Sequence, residues 1–141
     1  MLGPDFRTMI LRAAAVWVFL LVIAVAVGSA RVGLLEPVVG ERTAHQLGTL
    51  AVAILFGAVI WLIAPWIEPG LVRGRLIALG IGWAVAAVLF EFGFGHWVAG
   101  HPWSRLLADY DVLGGRLWVL VLLTLLVGPA VAGGLRQARG K

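Results

Sequence analysis

The segment from Val88 to Asp111 reads VLFEFGFGHWVAGHPWSRLLADYD. It sets an acid, Glu91, near the end of an apolar run, with His96 and His101 following. A carboxyl group at membrane depth is rare; it faces the bundle interior and either has a partner or lines an ion or proton path. Imidazole passes protons near neutral pH, and imidazole with carboxylate suits zinc or iron. The spacing argues against a metal set. A step of five residues turns an α-helix by about 140°, so Glu91, His96 and His101 do not share a face as i and i+4 residues would. Gly93, Gly95 and Gly100 could unwind the segment, and Pro102 ends any helix there. No metal site is expected and no cofactor is assigned. A haem between spans would need histidines deeper than the rim positions of His45, His96 and His101.

Other chemistry is sparse. Asp109 and Asp111 could do acid–base work, although two acids in a polar loop commonly cap turns. The only serines are Ser29 and Ser104, no Ser–His–acid set is evident, and no glycine-rich phosphate loop precedes a helix. The absence of cysteine excludes disulfides, thiolate metal sites and cysteine nucleophiles. These features point away from an enzyme. The sequence pI is near 11.1, but the net charge is only +4 and the basic residues are scattered, which excludes nucleic acid as a partner.

The elements that must position these residues follow from composition. Of 141 residues, 62% are hydrophobic and 13% charged, against about a quarter charged in soluble domains. The bilayer is the solvent such a chain expects. Four runs carry no charge: between Arg12 and Arg31, Arg42 and Glu68, Arg75 and Glu91, and Arg116 and Arg136. A spanning helix needs about 20 mostly apolar residues. The period-two alternation of a barrel is absent. The expected fold is therefore an all-α membrane protein, a four-transmembrane-helix bundle forming one domain over 1–141, with spans near 12–30, 46–66, 74–96 and 115–135. The first run, preceded by Arg7 and Arg12 and ending in VGSA, is longer than a signal-peptide core and reads as a retained span.

Four spans put both termini and the central turn on one side. That side carries Arg7, Arg12, Arg73, Arg75, Arg136, Arg139 and Lys141, against Arg31, Arg42, Arg105 and Arg116 opposite. The positive-inside rule then predicts an N-in/C-in topology. Trp61 and Trp66 would anchor the inner boundary, and Trp97, Trp103, Tyr110 and Trp118 the outer one. Trp83 lies deep in the third span and reads as packing. Pro65 and Pro69 bracket the turn after the second span. Small residues four apart recur at Ala24/Gly28, Ala53/Gly57, Ala78/Gly82/Ala86 and Gly128/Ala132, where helices could approach closely.

The polar residues are unevenly shared between the sides. The outer side holds all three histidines and five of the seven acids, and the inner side only Asp5 and Glu68. A site, if present, opens outward, with His96, His101, Asp109, Asp111, Glu41 and His45 as an outer polar cluster. Glu91 stands about 24 Å up its span from Arg75, with Arg31 and Arg116 as its candidate partners in an ion pair or proton site. WSRLLADYD, Trp103 to Asp111, reads as an amphipathic interfacial segment with an Arg105–Asp109 pair, and Gly114 and Gly115 turn the chain into the fourth span. The first outer loop is broken by Pro37 and Gly40, with Thr43 capping the second span. Together the two loops would form a lid.

The pattern from RVGLLEPVVGERTAHQLGT through FEFGFGHWVAGHPWSRLLADYDVLGGRLWVLVLL resembles a group of small bacterial four-span membrane proteins, over most of the chain after Arg31. The resemblance implies a bacterial inner (plasma) membrane and brings no activity. With small fluoride channels and small multidrug transporters the chain shares only size and span number. Two functions remain open. One is a non-enzymatic protein acting as a homo-oligomer or as an accessory subunit of a larger membrane complex, with Glu91 in a structural pair. The alternative is a small ion- or proton-coupled transporter or channel, with Glu91 as the intramembrane carboxylate and His96 or His101 relaying protons. An outward-facing metal enzyme is a third, weaker reading.

Overall fold

The computed structural model describes residues 4 to 141. Helix α1 (Pro4–Ala30) runs on through a π-helical turn, Arg31–Leu35, into the one-turn α2 (Glu36–Val39). Gly40, at φ +82°, takes the backbone conformation that a side chain disfavours and turns the chain. Helix α3 (Glu41–Ile67) follows, then α4 (Arg73–Gly93), which continues into a second π turn, Phe94–Val98. A short α5 (Trp103–Ala108) leads to α6 (Val119–Arg139), and no strand occurs among the described residues. Four stretches are long and apolar enough to cross a membrane: Asp5–Val39, Glu41–Ile67, Arg73–Val98 and Val119–Arg139.

Two differences from the sequence reading lie at the junction of α1 and α3. The expected first outer loop is instead a continuation of α1, because Arg31 bonds within its own helix and need not mark its end. Thr43 does not cap α3; the helix starts two residues earlier with Gly40 at its N-cap and no capping side chain.

The bundle packs in the order α1, α3, α6, α4, with α6 making its broadest contacts to α4 and α3. This leaves a seam where α4 meets α1. Leu20, Phe56, Ile60, Leu76, Trp83, Val121 and Leu125 form the buried centre. The outer faces are apolar as well, with Leu11 and Ile54 each 71% exposed and Leu89 68% exposed. A water-soluble domain rarely shows so much contiguous apolar surface, whereas lipid-facing helices require it.

Prolines and arginines explain the end of the bundle that holds both termini, hereafter the terminal end. Pro65 lies inside α3 and lacks the amide that would bond the carbonyl four residues back, at Trp61. Arg136 of α6 fills the vacancy, donating to the Trp61 oxygen from Nε at 3.1 Å and from Nη2 at 2.6 Å. Its guanidinium also lies over the Trp61 ring, 4.6 Å from the centroid. Arg12 treats the last turn of α3 likewise, donating to the Trp66 oxygen at 2.6 Å. Glu68, buried, accepts from Arg75 at 3.2 Å across the α3–α4 turn.

A related arrangement joins α4 to α6. Pro129 inside α6 frees the Leu125 carbonyl, and Gly80 of α4 sits against it and against the Leu126 carbonyl so closely that no Cβ would fit. The recurring small-residue pairs behave differently. Gly28, Gly57 and Gly82 face open space, while Gly128 packs against Ile60.

Candidate functional site

Glu91 lies in the last turn of α4, just before the π turn. Its Oε1 accepts from the Trp118 indole at 2.6 Å, and its Oε2 accepts from the Tyr110 hydroxyl at 2.6 Å. Trp118 stands at the N-cap of α6 and Tyr110 just beyond α5. One carboxyl group therefore gathers three elements.

The arginines expected to pair with Glu91 are engaged elsewhere. Arg31 donates to Glu36 at 2.7 Å and Arg116 to Glu41 at 3.1 Å. The π turn explains the first pair, because i→i+5 bonding brings residues five apart over one another. Glu91 instead takes its donors from two uncharged side chains. Burial and the neighbouring Glu91 carboxylate push the Tyr110 phenol well above its ordinary range.

The aromatic residues around the carboxylate form a column. Tyr110 stacks on Phe92 at 5.7 Å, Phe92 on Trp103 at 6.3 Å, and Trp103 on His96 at 3.8 Å between centroids. His96 Nδ1 also lies 3.0 Å from the His101 carbonyl oxygen. Gly95, at the second π turn, admits Leu106 of α5 so closely that a Cβ there would meet Leu106 Cδ2 at 2.6 Å. These contacts hold the α5 segment, and with it Tyr110, against α4. Asp111 accepts from the Gly114 amide at 2.9 Å and fastens the turn toward α6. The Arg105–Asp109 pair expected from their spacing is not formed, as neither residue is in an ion pair.

Between these elements lies a chamber of about 710 Å³ at the end remote from the termini, hereafter the distal end. Its size is that of a small-molecule site. Of the residues singled out in the sequence, Glu91, Glu41, His45, His101, Asp109, Arg31 and Arg116 line it, and His96 and Asp111 do not. His45 is only 8% exposed, and its Nε2 is buried without a hydrogen-bond partner. Such an orphan costs free energy unless something satisfies it. Among the described residues, no group of three or more His, Asp or Glu side chains is placed to hold a metal ion.

A second cavity, about 200 Å³, follows the α1–α4 seam and is almost wholly apolar. Ala24, Phe90, Glu91 and Trp118 line both cavities, so the two adjoin at these residues. Toward the terminal end the seam is closed. Trp83 donates to the Ala13 oxygen at 3.1 Å, Trp17 donates to the Trp83 oxygen at 3.3 Å, and Trp83 is buried. Trp83 is thus part of the packing, as its position in the sequence indicated.

Tyr110 and Trp118 are residues of the candidate site that the sequence reading assigns to interfacial anchoring and not to Glu91. The available signal was chemical. Tyr110 is the only tyrosine, and an acid at that depth needs donors, which need not be charged. No family model, curated protein or solved structure matches the chain, so the reading of its function rests on this site.

Proposed function

We propose that the chain is a non-enzymatic, ligand-binding protein of a bacterial inner membrane, with both termini in the cytoplasm and the chamber facing outward, acting as a homo-oligomer or as the binding subunit of a larger complex. The observation that carries this reading is the chamber itself, lined by Glu91 and by the largely buried His45 together with Glu41, Asp109 and three arginines. A structural ion pair would need no such space. The excess of arginine and lysine on the terminal side supports the orientation.

A transporter using Glu91 is the second reading, favoured by the position of that carboxylate in the walls of both cavities. It requires the Trp17–Trp83 clasp to open, since Leu20, Phe56 and Leu125 are buried on the way to the terminal end. Native mass spectrometry of the full chain, released gently from its own membrane, separates these readings. A retained small molecule or second polypeptide is the expected result. A bare chain, together with flux in proteoliposomes that Glu91→Gln abolishes, would replace binding by transport. Because the chain lacks cysteine, an Asp109→Cys variant reports orientation: an impermeant thiol reagent should label it from outside the cell, and labelling only from inside would reverse the topology.

A further inference from the structure

The chamber and the seam cavity together are shaped for a ligand with two unlike parts. The cavity on the seam offers almost no polar surface and is bounded by Leu20, Leu21 and Ala87, among others. The chamber offers charged and hydrogen-bonding groups. What a ligand presents at their junction is fixed by the residues found there, Glu91 and Trp118, with Phe90 beside them. Tyr110 and Trp118 direct their O–H and N–H edges at the carboxylate, which keeps unused lone pairs after accepting these two hydrogen bonds.

A carboxylate at the edge of an apolar cavity suits an organic cation borne on an apolar chain, because the anion attracts the charge while the cavity takes the chain. We propose that this site holds an amphiphilic organic cation, its charged nitrogen against Glu91 and its apolar portion in the α1–α4 seam. The inference rests on the binding function proposed above and names the ligand class.

The order of groups along the ligand decides against the obvious alternative. In a phospholipid the phosphate lies between the apolar chain and any ammonium. With the chain in the seam, that phosphate would meet Glu91 first, with Asp109 also lining the chamber. The arginines stand on the chamber side, not in the seam. A cation attached directly to an apolar chain has its charge where the carboxylate is.

The test is saturation binding of radiolabelled dodecyltrimethylammonium, below its micellar concentration, to the full chain in phosphatidylcholine nanodiscs, with empty discs as background. The wild type should bind saturably, and Glu91→Gln should bind about tenfold more weakly. Ala87→Phe narrows the seam while Glu91 itself is kept and should weaken binding as well, so the result does not depend on one variant folding. Unchanged affinity in both variants overturns the proposal. So does equal or tighter binding of dodecylphosphocholine, which carries phosphate between chain and ammonium. Saturable dodecyl phosphate binding that Arg105→Gln removes would overturn the cationic class and leave the binding function standing. Failure of every probe, with no molecule retained by the chain from its own membrane, would remove both.

Discussion

The two ends of the bundle meet the same difficulty, polar groups among apolar helices, in opposite ways. At the terminal end, charge is consumed by backbone. Arg136 and Arg12 donate to carbonyl oxygens of α3 and lie on tryptophan faces. Midway along the bundle, Trp17 and Trp83 exchange bonds with each other's helices. At the distal end, acids, arginines and His45 are arranged around space. The first arrangement fixes helices relative to one another; the second leaves bonding capacity for something else. Polar residues at comparable positions in a sequence thus do different work: at one end they bond backbone across helices, at the other side chain meets side chain around a chamber.

The comparison can be broken by substitution. Gly80→Leu drives a side chain into the α6 carbonyls and should cost the most, about 3 kcal/mol or more, because backbone cannot give way as a side chain can. Unfolding in mixed micelles measures it, and a near-neutral result would mean that α4 and α6 are not in contact there. Next comes Arg136→Leu, which orphans the Trp61 carbonyl and should cost about 1–3 kcal/mol. Pro65→Ala restores an amide donor to that carbonyl, so the same arginine substitution should cost much less in its background. A double-mutant cycle showing simple additivity would sever the proline–arginine link.

Effects at the distal end should be smaller for folding. Tyr110→Phe removes one hydrogen bond to Glu91 and should cost about 1 kcal/mol. The phenol itself gives a sharper reading, since the chain has one tyrosine. Its folded value is raised above the ordinary 10.0. The neutral form is therefore favoured in the folded chain, and that contribution to stability is complete below pH 10.0 and lost as pH rises through the raised value. Phenolate absorbance should appear only above the ordinary range and shift down in Glu91→Gln. An ordinary titration in the wild type would show that the contact is not made. Smallest of all, Gly28→Ala, in open space on the chamber wall, should change stability by no more than about 1 kcal/mol.

Much of the architecture was legible from charge alone, since four uncharged runs correspond to the four long apolar helices. Their ends were less so. Arg31 reads as a boundary in sequence, yet its pairing with Glu36 lets the helix continue to Val39. That pairing needs a π turn, which α-helical spacing does not reveal. The outer sidedness of His45, Glu41 and Asp109 anticipated their gathering around one chamber. The donors to Glu91 did not emerge, because tyrosine and tryptophan near a boundary fit membrane anchoring equally well. Nor does spacing distinguish Gly80, pressed against carbonyls, from Gly28, facing nothing. That depends on how a neighbouring helix is rotated.

The place of α6 between α3 and α4 has a consequence for how the molecule is made. Synthesis delivers this helix after the other three, yet two of them have their broadest contacts with it. Until it enters the bilayer, Arg136 and Trp118 are missing, so the Trp61 carbonyl lacks its donor and Glu91 one of its two. A chain lacking everything after Arg116 would keep α1 against α3 and the Trp17–Trp83 clasp between α1 and α4, but not the helix that joins α3 to α4. Quality-control proteases would see an unfinished membrane protein until the final span arrived.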